Sequence, residues 1–161
     1  MGVPAGPAVI TLHGSCGVLR DQAVLLLGRP GSGKSDLLLR LIDRGFSLVA
    51  DDQVTIREGL ATPPPSLAGL VEVRGLGLLR IAHTAPAGLV LVLALDDQAA
   101  AEALPGPIAD ADDRRMPWPR RHRRLGLPML RIDPFQASAP LKVEIALDCL
   151  AGRRVLPISG L

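Results

Sequence analysis

Residues 28–35, GRPGSGKS, have the residue types and the spacing of a phosphate-binding loop. A glycine, four free positions and then Gly-Lys-Ser form the P-loop pattern. The glycines let backbone N–H groups approach phosphate oxygens, the lysine bridges the β and γ oxygens, and the serine hydroxyl binds Mg²⁺. The predicted nucleotide-binding residues are Gly28, Arg29, Pro30, Gly31, Ser32, Gly33, Lys34 and Ser35.

Two pairs of carboxylates could complete this chemistry, and spacing alone does not choose between them. Asp51 and Asp52 end one apolar run, and Asp96 and Asp97 end another. An aspartate at a strand end can hold Mg²⁺, but aspartates are also common in polar turns. Adjacent strand residues point to opposite faces, so Asp51 and Asp52 are predicted to have different roles.

The flanking sequence predicts the elements that a P-loop requires. The apolar run 23–28 predicts a buried strand that enters the loop, and 35–45 predicts a helix because its apolar residues recur every three or four positions. A strand is predicted at 47–50, and a further strand follows around the alternating Val54 and Ile56. The loop is therefore expected at the junction of a strand and a helix.

Length and composition predict one globular domain that covers residues 1–161, and the strand–loop–helix pattern makes it an α/β domain. A chain of 161 residues buries roughly two-thirds of its unfolded surface. The net charge is +2 and the two cysteines, Cys16 and Cys149, lack metal-ligand spacing. No signal peptide is apparent, and no apolar run reaches the ~18 residues of a membrane span. We therefore expect a cytoplasmic protein with no membrane partner and no nucleic-acid partner.

Several segments together resemble one bacterial family. Four segments carry the resemblance: HG at 13–14, GRPGSGKSD, RGFSLVADD and VEVRGLGLL at 71–79. In their order and spacing they resemble the catalytic domain of HPr kinase/phosphorylase. That family phosphorylates, and in many members dephosphorylates, a serine of the sugar-transport phosphocarrier HPr. The resemblance is strong over residues 9–82. It implies a P-loop fold with a mixed central sheet, similar to the core of phosphoenolpyruvate carboxykinase, with ATP and Mg²⁺ as cofactors and HPr as partner.

The resemblance also implies roles for individual residues. Asp52 corresponds to the proton acceptor for the seryl hydroxyl, and Asp51 would support the site. Glu72 corresponds to a Mg²⁺ ligand alongside Ser35, so that Asp96 becomes a turn residue at a strand end. Carboxylate and hydroxyl oxygens suit a hard cation.

Further catalytic residues follow from the P-loop pattern, which gives Lys34, and from the same resemblance. Lys34 and Arg74 would neutralise charge on the transferred group, and His13 has the spacing of an active-site histidine. Arg115 matches an essential arginine that the family has in a flexible segment, and Arg114 matches it almost as well. His83 and His122 have no such match and are expected on the surface.

Two segments leave the function open. The run 112–126 holds six arginines between 114 and 124 and fits either a solvated loop or a docking loop that contacts phosphate. Residues 133–140, DPFQASAP, stand where longer members have Arg-Pro-Gly-Arg-Asn, which puts the phosphorylase reaction in doubt. The helix that follows is expected to be capped by Ser138.

The chain resembles a short form without the amino-terminal domain and the carboxy-terminal extension of longer members. The alternatives to an HPr kinase are a nucleotide-sensing module that binds a signalling protein without transferring phosphate, and a small-molecule P-loop kinase. A homo-oligomer is compatible with the sequence because long family members form hexamers.

Overall fold

The structure, a computed structural model, describes residues 8–105 and 120–153. The strands in these ranges are β1 (Val9–His13), β2 (Ser15–Leu19), β3 (Gln22–Leu27), β4 (Ser47–Ala50), β5 (Gln53–Arg57), β6 (Leu60–Thr62), β7 (Leu70–Val73), β8 (Gly77–Arg80), β9 (Ala87–Ala94), β10 (Ala103–Pro105), β11 (Arg120–His122) and β12 (Met129–Arg131). The α-helices are α1 (Lys34–Asp43), α2 (Asp97–Ala100) and α3 (Ala139–Leu150).

The main sheet is mixed and has the strand order β1-β5-β6-β9-β3-β2-β4, with β12 paired to β9. The strand β9 is parallel to β3 and to β12. The strand β2 is antiparallel to both β3 and β4, so β3, β4, β9 and β12 all run in one direction. Their carboxyl ends therefore meet at one edge, where open α/β sheets bind ligands.

Two hydrophobic cores lie on the two faces of the sheet. In β3, Leu25 packs into one core, and its neighbours Val24 and Leu26 pack into the other. The alternation follows from the two-residue period of a strand. The second core also contains Leu37 of α1 and Val143 of α3, so both helices cover that face. Because β3 is buried on both faces, the loop that follows it starts from a fixed point.

The sheet is curled. The chain passes from β4 to β5 through Asp51 and Asp52 alone, although β4 ends the strand order and β5 lies near its other end. The backbone N–H of Gln53 donates to the carbonyl of Asp51 at 2.9 Å. In addition, β5 contacts β2, and β6 contacts β4. The two aspartates therefore lie where distant parts of the sheet order approach each other.

The predicted elements around the loop are confirmed, with shifts of one or two residues at their ends. The predicted cap at Ser138 is wrong, since its side chain makes no capping hydrogen bond. Its backbone is helical (φ −80°, ψ −3°), whereas an N-cap residue that uses its side chain is normally extended. No helix in the described ranges is long and apolar enough to cross a membrane.

Candidate active site

One cleft of about 1240 Å³ opens at the carboxyl ends of β3 and β4. The predicted site residues that line it are His13, Gly28, Arg29, Pro30, Gly31, Gly33, Lys34, Ser35, Asp51, Asp52, Glu72 and Arg74. Ser32 belongs to the same loop, with its Oγ buried behind the lining. Arg114 and Arg115 lie outside the described residues. The fold thus brings together residues from the loop, from the ends of two strands, β1 and β4, and from a hairpin.

The loop presents backbone donors to the cleft. Gly33, at the start of α1, has φ of +98°, a conformation that glycine adopts without strain. The N–H of Leu37 donates to the Gly33 carbonyl at 2.9 Å and is the first donor of the helical ladder. The N–H groups of Lys34, Ser35 and Asp36 lie before that point, and such N–H groups, together with the helix dipole, bind anions. This geometry fits a polyphosphate.

Lys34 is the cation of the loop. Its Nζ donates to the carbonyl of Gly28 at 2.5 Å and to that of Arg29 at 3.0 Å. Burial lowers the pKa of Lys34, while the nearby charges of Asp96 and Asp51 act in the opposite direction. The ammonium group is therefore partly desolvated, so its attraction to an anion is screened less than on an open surface.

Asp51 is the centre of a buried hydrogen-bond network. Only 4% of the residue is exposed. Its carboxylate accepts the Ser15 hydroxyl at 2.6 Å, the Ser35 hydroxyl at 2.9 Å and the backbone N–H of Glu72 at 3.0 Å. These donors fix the carboxylate beside Ser35, the predicted magnesium ligand. Sequence reasoning missed Ser15, because nothing local distinguishes it from other serines in strands.

Asp52 has the opposite environment. It is exposed in the cleft, and its φ of +73° turns the chain sharply between the two aspartates. Its carbonyl accepts the N–H of Gly14 at 3.1 Å, and His13 pairs with Gln53 in the β1–β5 register. His13 therefore lies close to Asp52 in the folded chain.

Glu72 and Arg74 lie on the hairpin of β7 and β8, outside the main sheet. Val71 is buried in the helix-side core and anchors the hairpin. Glu72 and Arg74 are both exposed and line the cleft. The hairpin therefore places one carboxylate and one guanidinium opposite the loop.

Asp96 is more than a turn residue at a strand end. One carboxylate oxygen accepts the backbone N–H of Arg29 at 2.7 Å, and the other accepts that of Ala99 at 2.8 Å. Burial disfavours its charged form, but these hydrogen bonds and the Arg29 guanidinium outweigh burial and hold the pKa of Asp96 below its ordinary value. Asp96 thus ties the phosphate-binding loop to the start of α2. Asp97, by contrast, is exposed and pairs with Arg131.

The expectation for His122 is wrong, whereas that for His83 is confirmed. His83 is exposed, but His122 is only 3% exposed and lines the cleft. Its Nδ1 accepts the backbone N–H groups of Arg124 at 3.2 Å and of Leu125 at 3.3 Å. Burial lowers the pKa of His122. Arg124, from the predicted basic run, also lines the cleft, so that run contributes a cation to it.

The oxygen donors fit a magnesium ion that is completed by phosphate oxygens. The described residues contain no group of three or more His, Cys, Asp or Glu side chains that could hold a metal by themselves. Ser35 and Asp51 are within hydrogen-bond distance of each other, and Glu72 lines the same cleft. Mg²⁺ usually takes one or two carboxylates together with substrate phosphates.

Comparison with known proteins gives a family and a fold. The HPr Serine kinase C-terminal domain matches residues 7–90. A protein of Aromatoleum aromaticum named HPr kinase/phosphorylase is 34% identical over 94% of this chain and 50% of its own length. One of Cupriavidus necator with the same name is 48% identical over 45% of this chain and 24% of its own length.

The solved structure of the Hpr(Ser) kinase/phosphatase from Coxiella burnetii is 25% identical, with a TM-score of 0.69, and the match covers 89% of this chain and 92% of that chain. This match confirms the predicted P-loop fold with a mixed sheet. The match spans about half the length of the Aromatoleum relative. It spans a smaller share of the other curated relatives. The family match ends before Asp96, His122 and Phe135.

Proposed function

The chain belongs to the HPr serine kinase C-terminal domain family, and from that premise we propose that it transfers the γ-phosphoryl group of ATP to a serine of HPr. The observation that carries the proposal is the pair of aspartates beside the phosphate-binding loop. One is buried and hydrogen-bonded to Ser35, and the other is exposed in the cleft. A kinase needs both a fixed cation site and an accessible base.

The residues that would hold Mg²⁺ are Ser35, Asp51 and Glu72. Asp51 enters this set because its carboxylate lies 2.9 Å from the Ser35 hydroxyl. When bound, Mg·ATP supplies the phosphoryl group and neutralises part of its charge. The loop N–H groups and Lys34 orient the phosphates and stabilise negative charge there.

Asp52 is the proposed proton acceptor for the seryl hydroxyl. Its exposure lets a side chain of another protein reach it, whereas Asp51 is enclosed by its three donors. His13 and Arg74 stand at the same opening and would orient the acceptor and balance charge. In phosphoryl transfer the nucleophile needs positioning more than strong activation, so a carboxylate suffices.

The test is transfer of labelled phosphate from ATP to HPr by the wild type and by Asp52→Asn. General base catalysis contributes about 10²- to 10⁴-fold, so turnover should fall by that order while the Kd for ATP stays within about twofold. Asp97→Asn is the matched control, since Asp97 is exposed and lies outside the cleft lining. Normal turnover in Asp52→Asn would contradict the assignment.

The choice of acceptor decides between this proposal and the alternatives. An HPr variant with alanine at the acceptor serine should receive no label. Labelling of a small molecule instead would favour a small-molecule kinase, and ATP binding without any transfer would favour a regulatory module. Release of phosphate from phosphorylated HPr in the presence of inorganic phosphate tests the reverse reaction separately.

A further inference from the structure

Phe135 is exposed at the edge of the cleft. It is 70% exposed and lines the cleft, although burying such a side chain stabilises a fold by about 1.5–3 kcal/mol. The chain has only two phenylalanines, one tryptophan and no tyrosine. The other phenylalanine, Phe46, is 3% exposed and belongs to the core. An open aromatic ring beside a phosphate-binding loop therefore suggests a ligand contact.

The segment that carries Phe135 is fixed in place. The N–H of Phe135 donates to the Asp133 carboxylate at 3.0 Å. Arg40 of α1 donates to the Pro134 carbonyl and, at 3.3 Å, to the carbonyl of Gln136. These bonds tie the segment to the helix that starts at the phosphate-binding loop. The ring is therefore held by its backbone rather than by packing of its own faces.

The edge of the ring meets the loop itself. Its Cε1 and Cζ atoms each lie 3.3 Å from the position that a Cβ on Gly33 would occupy. Gly33 is the residue immediately before α1. The ring thus stands beside the first turn of α1, whose N–H groups are available to phosphates.

The position of Phe135 relative to the sheet indicates which end of a nucleotide would reach it. Asp51 follows β4, which lies on one side of β3 with β2 between them, and Phe135 follows β12, which lies on the other side with β9 between them. All four of β3, β4, β9 and β12 end at the same edge. If the terminal phosphate lies by Ser35 and Asp51, the other end of the nucleotide points towards Phe135.

We propose that Phe135 is the stacking platform for the base of the bound nucleotide. The inference rests on the proposed nucleotide-dependent function but not on the identity of the phosphate acceptor. Stacking on an aromatic face suits an exposed ring, because it needs an open π surface and no deep pocket. The base subsite is therefore on the β12 side of the loop, and the phosphates are on the β4 side.

The experiment compares ligands with and without a base. Phe135→Ala should raise the Kd for Mg·ADP by about 5- to 150-fold, the equivalent of one lost base–aromatic stack. The Kd for inorganic tripolyphosphate, which has no base, should stay within about twofold. Phe135→Trp should keep wild-type affinity for Mg·ADP. Titration calorimetry measures all of these values without HPr or turnover.

The matched control is Leu141→Ala. Leu141 is also an exposed apolar residue, at 45%, but it lies outside the cleft lining. Its removal should change neither Kd. Thermal melting of each variant checks the fold, which we expect to be intact because both side chains are exposed.

Each result has one meaning. An equal loss of affinity for Mg·ADP and tripolyphosphate, or no loss for either, would overturn the base subsite. Unchanged Mg·ADP affinity with weakened HPr phosphorylation would overturn it too, and would place Phe135 at the protein acceptor. A wild-type chain that binds neither ligand would overturn the nucleotide-dependent function as well. A chain that shows the expected base effect but does not phosphorylate HPr would overturn the proposed acceptor alone.

Discussion

Two neighbouring aspartates acquire different chemistry because the backbone turns between them. Asp51 follows the buried end of β4, and its carboxylate accepts three hydrogen bonds. Asp52, one residue later, has φ of +73° and opens into the cleft. Non-glycine residues adopt this conformation only at a cost, which the surrounding structure must offset. The strain at Asp52 separates a buried carboxylate that binds hydroxyls from an accessible one.

Gly28 is the residue at which the smallest change should disturb the phosphate-binding loop. A Cβ at this position would lie 2.3 Å from Ser32 Oγ and 2.8 Å from Ser32 Cβ, so the loop must shift. We expect Gly28→Ala to weaken ATP binding by about tenfold or more, since each 1.4 kcal/mol of lost binding free energy is a factor of ten. Titration with Mg·ATP measures the loss.

Two further variants test the cause of that loss. Gly88→Ala adds the same methyl group where nothing lies within 4 Å, and it should bind ATP normally. Combining Gly28→Ala with Ser32→Gly removes the atoms that clash and should restore part of the affinity, as an interaction energy in a double-mutant cycle. Gly28→Ala with wild-type affinity would show that the loop relaxes without cost.

The sequence predicted the site residues that belong to a motif of consecutive or neighbouring residues. The phosphate-binding loop is eight consecutive residues, and the aspartate pair follows a strand directly. Ser15 and Phe135 could not be predicted in this way, because the one contacts Asp51 and the other Gly33 only after the chain has folded. The burial of His122 depends likewise on neighbours that the basic sequence around it does not indicate.

At the scale of elements, Asp96 joins three of them. It follows β9, accepts the N–H of Arg29 in the phosphate-binding loop and caps α2 through Ala99. From sequence, Asp96 and Asp51 were equivalent, since each ends an apolar strand. The two aspartates differ in their contacts because they follow different strands of the sheet. Strand order depends on contacts between distant parts of the chain, so the local sequence does not reveal this difference. The resemblance chose Asp51 and Asp52, and it gave no role to the bond between Asp96 and Arg29.

Asp96→Ala should therefore affect both the fold and the loop. Loss of an N-cap costs about 0.5–2 kcal/mol of the free energy of unfolding. The affinity for ATP should also fall, because Arg29 loses its anchor. Urea denaturation and ATP titration measure the two effects.

Two control variants test the cause. One keeps the cap at position 96 without the charge, and the other removes the neighbouring carboxylate. Asp96→Asn should keep much of the stability, because asparagine caps a helix about as well as aspartate does. Asp97→Ala removes an exposed neighbour and its ion pair with Arg131, and such exposed pairs contribute little to stability. Equal effects from Asp96→Ala and Asp97→Ala would contradict the anchoring role.

At the scale of the whole molecule, His122 makes the stability depend on pH. Burial lowers its pKa from the ordinary value of 6.5; Glu102 opposes this shift, and Arg123 and Arg124 add to it. Below pH 6.5 the unfolded chain therefore binds a proton that the folded chain takes up only at lower pH. By proton linkage, the free energy of unfolding contributed by His122 is complete above that pH and falls as the pH drops below it.

The measurement is urea denaturation of the wild type and of His122→Gln at several values between pH 5 and pH 8. Glutamine keeps an acceptor but does not titrate, so the variant should lose less stability on acidification than the wild type does. His83→Gln is the control, because His83 is exposed and should leave the pH dependence unchanged. Identical pH profiles for His122→Gln and the wild type would show that His122 titrates alike in the folded and unfolded chains.

The resemblance predicted the fold class and its mixed sheet, but the local sequence could not give the strand order. Alternating apolar residues identify β5 as a strand and do not say that it pairs with β1 and β6. That pairing is decided by the two cores, which bury residues from elements far apart in the chain.

The curl of the sheet has a consequence for how the site and the fold depend on each other. The turn at Asp51 and Asp52 joins β4, at one end of the strand order, to β5, near the other end, so opening either region should pull the Asp51 carboxylate away from Ser15 and Ser35. A ligand held by both regions resists such opening, because its binding energy is lost when they part. Bound nucleotide would then couple the two ends of the sheet, so that they unfold and refold as one cooperative unit.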